Sequence, residues 1–242
     1  MLVSICLGAN VCGRDGKLYP IAIRSIARQF GDLVFSSGYS IAAVVGAGGA
    51  AKKHRHYVEK YARNAPDLDQ VAIEASRVNA LLLIAALRVL GVPTNPSPFE
   101  SMKETLSYLR LGEKEIKYSR VAVLGGLEPN MTSDSTAAKI AVRMRSSLLI
   151  VSTRGGVFAK DPDTKLREGS RMLRSVDRSY LESLLASMPE NHVFDSQTCK
   201  ILLSINNNSN QKEAYFGVTG YKHISKIRRV SSNARFFTRI LL

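Results

Sequence analysis

Short, continuously apolar segments alternate along the chain with longer segments of helical periodicity. The apolar segments cover residues 2–7, 41–45, 121–124, 147–151 and 214–218, and the first four end at a glycine or a small polar residue. The helical patterns cover residues 20–30, 69–90, 135–144, 177–188 and 195–205. Short runs that are apolar throughout are typical of strands covered on both faces. The alternation predicts an α/β fold with a largely parallel sheet and right-handed crossovers.

The 242 residues are enough for one compact domain or two small ones. There is no internal repeat, and the polar or proline-rich stretches at 91–98 and 205–211 are too short to be interdomain linkers. The longest apolar run, 80–87, is far shorter than a membrane span, and the N-terminus lacks the layout of a signal peptide. We therefore expect no membrane segment.

Composition narrows the class of protein. An apolar fraction of 45% excludes a disordered chain. The three cysteines cannot form a disulfide framework, and Cys6 and Cys199 lie in apolar runs, where buried, unreactive thiols are expected. This cysteine usage indicates a reducing, cytoplasmic environment.

The net charge of +14 indicates anionic partners, which could be nucleic acid, phosphorylated metabolites or acidic lipid. Residues 1–120 carry 16 basic and 10 acidic side chains, and residues 121–242 carry 18 and 10. This even spread argues against an appended nucleic-acid-binding arm. Residues 221–239 hold six basic side chains and no acid. A solvated basic face or a subunit contact is favoured there over base stacking on its phenylalanines.

Three loops that follow predicted strands contain small residues suited to phosphate binding. Residues 44–53 place a Gly-Ala-Gly-Gly turn before a helix with two lysines, so backbone amides and a helix N-terminus could approach an anion. Tight packing of strand against helix would also select these small residues. The loop 125–134 ends in hydroxyls and Asp134, where a simple helix cap by Ser133 or Asp134 is the alternative. The loop 152–162 is the third. His54 and His56 lie two residues apart in a helical pattern and predict no metal site.

Taken in order, these motifs resemble the amino acid kinase superfamily, and within it the archaeal-type uridylate kinases. The most specific stretch is the helical run 73–87 with its Ser-Arg-Val-Asn-Ala segment. The family's Gly-Gly-(any)-(any)-Pro-Gly-(any)-Thr-Thr-Asp loop is matched by 125–134, its nucleotide loop is matched loosely by 152–162, and its Asp-Pro-Leu-Ala-(any)-Lys helix start is echoed by Asp195 and Lys200.

The resemblance implies a three-layer α/β/α sandwich around a mainly parallel sheet. It implies one domain over residues 1–242, with 1–150 mainly the phosphate-acceptor half and 151–242 mainly the ATP-binding half. The implied reaction is transfer of the ATP γ-phosphoryl group to UMP, with Mg²⁺, in pyrimidine nucleotide synthesis. The implied assembly is a homohexamer built as a trimer of dimers, and no nucleic-acid partner is expected.

The resemblance also implies roles for individual residues. Asp69 would accept hydrogen bonds from sugar hydroxyls, and Arg77 would bind the UMP phosphate unless it forms an ion pair. The full UMP set is Ala47, Asp69, Arg77, Leu127, Asn130, Met131, Thr132 and Ser133. The ATP set is Ala9, Asn10, Gly48, Lys52, Ser152, Thr153, Phe158 and Asp161. The catalytic candidates are Lys52, Asp134 and Lys200, and no side chain is assigned as a metal ligand.

Two alternatives stay open at this point. The first is a nucleotide- or anion-binding protein of the same fold that has lost turnover. The second is a kinase for another small phosphorylated acceptor, such as isopentenyl phosphate.

Overall fold

The structure is a computed structural model of the 242-residue chain. It describes residues 1–8, 13–14, 17–18, 20–61, 65–114, 120–153, 155–158, 172–187, 194–205, 216–229 and 237–242. Side chains within helices and strands are described except at positions 13, 14, 17, 18, 50, 52, 55, 65–67, 111–114, 228, 229 and 237.

A seven-stranded sheet forms the centre of the molecule. Its strands are β1 (Leu2–Leu7), β4 (Ser40–Val45), β5 (Val121–Leu124), β6 (Ser147–Val151), β7 (Ser175–Val176), β8 (Phe216–Thr219) and β9 (Phe237–Ile240). Their order is β5-β4-β1-β6-β8-β9-β7, and only the β8–β9 pair is antiparallel. Two short strands, β2 (Gly13–Arg14) and β3 (Lys17–Leu18), form a separate antiparallel ladder.

Helices cover both faces of this sheet. They are α1 (Pro20–Ser37), α2 (Gly48–Val58), α3 (Ala65–Val89), α4 (Met102–Lys114), α5 (Ser133–Met144), α6 (Arg178–Ser187), α7 (Ser196–Leu203) and a 3₁₀ helix (Tyr221–Arg229). The helices α1 and α3 pack on one face together with the 3₁₀ helix. The helices α4, α5, α6 and α7 pack on the other face.

The sheet residues alternate strictly between these two cores, as the pleat of a strand requires. In β4, Ile41, Ala43 and Val45 face the α1–α3 side, whereas Ala42 and Val44 face the α5 side. All six residues of β4 are buried, which explains why its sequence is apolar throughout rather than alternating. The predicted three-layer α/β fold is confirmed.

The strand order reverses around β1, and this reversal places a crevice at one edge of the sheet. The chain runs from β1 outward to β4 and β5, and then crosses to the other side of β1 to form β6 and β8. Ligands of open α/β sheets bind beyond the carboxyl ends of the strands at such a reversal. The three loops singled out in the sequence follow β4, β5 and β6, so all three begin at this edge.

Several element boundaries differ from the prediction. The helix α1 continues to Ser37, seven residues beyond the predicted end. The prediction of Ser133 or Asp134 as the cap of α5 is wrong, because Thr132 occupies the extended cap position and accepts a hydrogen bond from the Ser135 amide. The sequence patterns do not predict β2, β3, α4, β7, β9 or the 3₁₀ helix.

The helix α3 contains a 22-residue segment, Leu68–Val89, that is long and apolar enough to cross a membrane by length and composition alone. Its inner side, however, belongs to the main core, with Ala80, Leu83, Ile84 and Leu87 fully or almost fully buried against the sheet and α1. One side of the helix therefore contributes to the core of the protein.

The cysteine prediction is confirmed for two residues, since Cys6 and Cys199 are buried free thiols. Cys12 lies outside the described residues. In the basic segment 221–239, the 3₁₀ helix buries Ile224 and Ile227 against α1, so part of this segment serves as core.

Candidate functional site

A pocket of about 360 Å³ opens at the carboxyl ends of β4 and β5. It lies between the turn after β4, the first turns of α3 and the loop that leads from β5 into α5. Its walls are formed by Val45, Gly46, Ala47, Asp69, Ala72, Ile73, Ser76, Gly126, Glu128, Asn130, Met131, Thr132 and Ser133. Six of the eight residues assigned to the UMP site from the sequence therefore line one cavity.

The turn after β4 is held by hydrogen bonds on both sides. The Gly46 amide donates to the carbonyl of Leu7 at the end of β1. The side-chain amide of Asn79, on α3, donates to the carbonyls of Gly46 (2.9 Å) and Ala47 (3.0 Å). Gly48 has a φ of 69°, in the left-handed region that glycine adopts without strain, and begins α2. The turn is thus fixed between β1 and α3.

The turn after β5 packs directly on α3. Ser76 accepts a hydrogen bond from the Gly126 amide and donates one to the carbonyl of Ile73. A methyl group at Gly125 would lie 2.7 Å from the Ser76 hydroxyl and 2.8 Å from the Arg77 backbone nitrogen. Only glycine leaves room for the helix at this distance.

Asp69 joins the same helix to the loop that follows. Its carboxylate accepts a hydrogen bond from the Asn130 backbone amide at 2.8 Å. Asn130 has a φ of 61°, which asparagine tolerates better than most residues. The Asn130 carbonyl accepts a hydrogen bond from the Gln197 side chain on α7 at 2.6 Å. The loop 128–131 is therefore fixed from two helices.

The start of α5 carries the hydroxyl groups of the pocket. Thr132 and Ser135 form a reciprocal capping box, in which each side chain accepts from the other's backbone amide. The Thr132 hydroxyl also donates to the carboxylate of Asp195, the cap of α7. The N-termini of α5 and α7 therefore meet beside the pocket, where a helix terminus favours an anion.

Asp134 lies behind this loop against the end of β1. It accepts a hydrogen bond from the Cys6 thiol, with 2.8 Å between Sγ and Oδ1. Burial raises the pKa of Asp134 to about 6, and the nearby Asp195 carboxylate adds to the rise, while the Cys6 thiol opposes it. Burial, with the Asp134 carboxylate next, also raises the pKa of Cys6 well above its ordinary value. Two carboxylates thus lie close together at this point.

Of the other residues assigned to UMP binding and catalysis, those that the structure describes are not part of the pocket wall. Arg77 forms an ion pair with Glu74 at 2.9 Å and approaches Glu100 at 3.8 Å. Leu127 is buried in the core on the α5 side. Lys200 is an exposed residue of α7. The backbone of Lys52 belongs to α2, and its side chain lies outside the described residues, as do Ala9 and Asn10.

The turn after β6 is bonded through its backbone and, at Val157, by the buried Thr238 hydroxyl. The Ser152 amide donates to the carbonyl of Thr219, and the Gly155 amide donates to the carbonyl of Ser152. Thr153 is exposed, and Phe158 forms an isolated antiparallel bridge with Met172. Asp161 lies outside the described residues. Glycine is required at position 155, where φ is 80°.

Several residues at the site had no role in the sequence interpretation. Ser76 and Asn79 contact the two turns, Cys6 contacts Asp134, and Gln197 contacts the loop after β5. Ser76 and Asn79 could have been recognised from the sequence, because they are polar residues on the apolar side of a helical pattern. Cys6 carried none, since a cysteine in an apolar strand is ordinary.

Proteins of similar sequence include uridylate kinases of archaea. The uridylate kinase of Natronomonas pharaonis is 35% identical over 164 residues, which are 67% of this chain and 66% of that protein. The uridylate kinase of Methanococcus vannielii is 30% identical over 206 residues, 84% of this chain and 86% of that protein. For the Natronomonas and Halorubrum lacusprofundi proteins, the match spans slightly less than two thirds of the relative's length, at 66% and 63%.

Solved structures of similar fold cover nearly the whole chain. The crystal structure of uridylate kinase from Archaeoglobus fulgidus superposes with a TM-score of 0.74 at 20% identity, covering 99% of this chain and 98% of that one. The crystal structure of UMP kinase from Bacillus anthracis gives 0.72 at 16% identity, covering 99% and 94%. At these identities the similarity establishes the fold.

The sequence profile of the amino acid kinase family matches residues 2–202, which include β1, the pocket and most of α7. The matched region extends over more than half of the chain, and the sheet order and loop positions agree with the resemblance inferred from the motifs. The chain belongs to the amino acid kinase family.

Proposed function

We propose that this protein transfers the γ-phosphoryl group of ATP to the phosphate of UMP, with Mg²⁺, and so forms UDP for pyrimidine nucleotide synthesis in the cytoplasm. The observation that carries the proposal is the pocket at the ends of β4 and β5. It gathers Ala47, Asp69, Asn130, Met131, Thr132 and Ser133 around one cavity. The relatives named uridylate kinase support the same reaction.

The pocket suits a nucleoside monophosphate in its distribution of polar groups. Its wall includes the Asp69 carboxylate, a hydrogen-bond acceptor for sugar hydroxyls. It also includes Thr132 and Ser133 at the N-terminus of α5, where hydroxyls and backbone amides favour a phosphate. Ala72, Ile73 and Met131 add apolar surface. We assign Asp69 to the ribose and the N-terminus of α5 to the phosphate.

The chemistry would rest on positioning and on neutralising charge, as in phosphoryl transfer generally. ATP would lie across the turn after β4, with Gly48 and Lys52 at the phosphates and Ser152, Thr153 and Phe158 at the adenosine. Ala9, Asn10 and Asp161 belong to the same proposed set. Lys52, Asp134 and Lys200 are the proposed catalytic residues.

Magnesium would enter with ATP and neutralise charge on the phosphates. Mg²⁺ is usually held by one or two carboxylates together with phosphate oxygens, and Asp134 and Asp195 offer such carboxylates beside the start of α5. The raised pKa of Asp134 fits this role, because two neighbouring carboxylates at a partly buried point would be stabilised by a cation.

The deciding experiment measures ADP release with MgATP and a panel of nucleoside monophosphates and isopentenyl phosphate. Turnover confined to UMP supports the proposal. Turnover with isopentenyl phosphate instead would assign a different acceptor. ATP binding by calorimetry with no turnover on any acceptor would contradict the proposal and favour a binding protein of this fold.

A sharper test uses Asp69→Asn. The substitution removes the negative charge that would accept from the ribose and weakens the bond to the Asn130 amide. We expect the KM for UMP to rise about tenfold, the equivalent of roughly 1.4 kcal/mol, with the KM for ATP nearly unchanged. Equal losses of UMP and ATP affinity would contradict the assignment of Asp69 to the acceptor.

We also propose that the chain forms a homohexamer built as a trimer of dimers. The two copies of each dimer would pair through the outer face of α3. Val71, Ala75, Val78, Leu82, Ala85 and Val89 follow one another at alternating spacings of four and three, as in paired helices. Val78 and Val89 are 57% and 86% exposed. The pattern is symmetric about residue 80, so an antiparallel copy would oppose Val71 with Val89 and Val78 with Leu82, as a two-fold contact requires.

Light scattering after size exclusion tests this surface. We expect Val78→Lys to lower the molar mass of the assembly by at least half, because it places a charge in the apolar contact between two copies of α3. Leu241→Lys, at a C-terminal residue that is 53% exposed, is the matched control and should leave the mass unchanged. A wild-type chain that elutes as a monomer would overturn the proposal.

A further inference from the structure

Two buried polar residues of α3 hold the two turns that border the pocket. Asn79 is 5% exposed and Ser76 is 3% exposed, although most of the inner side of this helix is apolar. They lie three residues apart and therefore on the same side of the helix. Asn79 bonds the turn after β4, and Ser76 bonds the turn after β5.

The Asn79 contacts determine how the first turn presents its amides. One side-chain amide binds the carbonyls of both Gly46 and Ala47. In a trans peptide the N–H points opposite to the carbonyl of the same peptide unit. The amides of Ala47 and Gly48 are therefore directed away from Asn79, and neither has a hydrogen-bond acceptor within the described part of the chain.

The Ser76 contact fixes the second turn in the same way. Its hydroxyl accepts from Gly126 while it donates its proton to Ile73, so the hydroxyl is held in one orientation. The Gly125 and Gly126 backbones lie so close to the helix that added methyl groups would approach atoms of Ser76 and Ile73 within 3.0 Å. The separation of the two turns is therefore set by one rigid helix.

We propose that Asn79 and Ser76 are positioning residues of the phosphoryl-transfer site. They act through the backbone of the turns and set the distance between the phosphate positions of donor and acceptor. The inference rests on the proposed function, in which these turns carry the phosphates. Asp69, from the same helix, contacts the loop that follows, so α3 contributes to the site at three points.

The test compares Asn79→Asp with Asn95→Asp. Both asparagines are buried and donate to backbone carbonyls, but Asn79 bonds Gly46 and Ala47 of the pocket wall, whereas Asn95 bonds Ser97 and Val123, which are not part of that wall. Each substitution replaces an amide donor by a carboxylate that faces carbonyl oxygens. We expect both variants to lose stability, but only Asn79→Asp to lose about 100-fold in kcat/KM for UMP at a temperature where both are folded. Asn79→Leu, of similar volume and without charge, should lose activity in the same direction.

Hydrogen–deuterium exchange supplies a readout that does not depend on turnover. In Asn79→Asp the peptide covering 44–50 should exchange faster than in Asn95→Asp at matched global stability, whereas the peptide covering 121–127, in which Asn95 bonds the amide and the carbonyl of Val123, should exchange faster in Asn95→Asp. Unchanged exchange at 44–50, or kinetics equal to those of Asn95→Asp, would overturn the positioning role. If the wild type does not phosphorylate UMP, the proposed function fails, while the exchange comparison still decides whether Asn79 holds the turn.

Discussion

The turn after β5 and the turn after β6 both contain a Gly-Gly pair but are held in different ways. The first packs against the backbone of α3 and is bound by the buried Ser76 side chain. The second is bound by backbone hydrogen bonds and by the buried Thr238 side chain, and its nearest neighbour is a side chain rather than a helix backbone, since Met172 lies closest to Gly156. The proposed acceptor side is therefore rigid, whereas the proposed ATP side can adjust locally.

This difference determines what each turn tolerates. A rigid helix backbone cannot move away from an added atom, whereas a methionine side chain changes rotamer at low cost. Substitutions of equal size at the two turns should thus have unequal effects on the two substrates.

The largest effect is expected for Gly125→Ala. The added methyl would meet the Ser76 hydroxyl at 2.7 Å, the Arg77 nitrogen at 2.8 Å and the Ser76 carbonyl carbon at 2.9 Å. We expect a stability loss of about 2 kcal/mol, within the usual range for overpacking. Because the loop carries the acceptor residues, kcat/KM for UMP should fall about 100-fold. Urea unfolding and initial rates at saturating MgATP measure both effects.

Gly31→Ala is the matched control for this variant. Gly31 lies in α1, away from the pocket, and its added methyl would meet only side chains, the nearest being Val92 at 3.3 Å. It should change stability slightly and leave the KM for UMP unchanged. A Gly125→Ala enzyme with normal UMP kinetics would show that the turn is not rigid in the way described.

Much of the fold could be predicted because the central strands are buried on both faces. The structure places β1, β5 and β6 at the predicted bounds, and β4 extends by a single residue, Ser40. The strands β7, at the sheet edge, and β9, between β7 and β8, contain only two and four residues, so their sequences carry little signal. The cap of α5 was misassigned because Thr132, Ser133 and Asp134 are all good caps, and only the backbone conformation selects Thr132.

Only the part of the site that is formed by the loops after the strands could be predicted from the sequence. The glycine loops and Asp69 mark the pocket because small residues and acids at strand ends stand out in sequence. Ser76 and Asn79 are separated from their partners by 50 and by 32 to 33 residues, and only the packing of α3 brings them together. Assignments on the ATP side stay predictions, since Ala9, Asn10 and Asp161 lie outside the described residues.

A smaller effect, on the pH dependence of the free energy of unfolding, is expected for Asp134→Asn. The loop after β5 ends in this carboxylate, whose pKa burial and Asp195 raise from 3.8 to about 6, whereas positions 152–158 contain no acid. Between about pH 4 and 6 the folded wild type binds more protons than the unfolded chain, so its stability falls as pH rises through this window. Relative to Asp134→Asn, the wild type should lose about 2 kcal/mol between pH 4 and pH 7.

Urea unfolding at several pH values measures this difference. Gly31→Ala, which keeps Asp134, should follow the wild-type pH dependence with a constant offset. A constant difference in the free energy of unfolding between wild type and Asp134→Asn from pH 4 to pH 7 would contradict the prediction. It would mean that burial and the Asp195 carboxylate do not raise the pKa of Asp134.

The smallest effect is expected for Gly156→Ala, on the other turn. Its methyl would lie 2.5 Å from the Met172 sulfur and 3.0 Å from the Thr238 hydroxyl, which accepts from Val157 and donates to Leu173. Met172 can move, so we expect a stability loss below about 1 kcal/mol, a rise of about threefold in the KM for ATP, and no change for UMP. The double variant with Met172→Ala should recover most of the ATP loss, because the two positions are in contact. A larger loss than in Gly125→Ala would reverse the assignment of the rigid and adjustable sides.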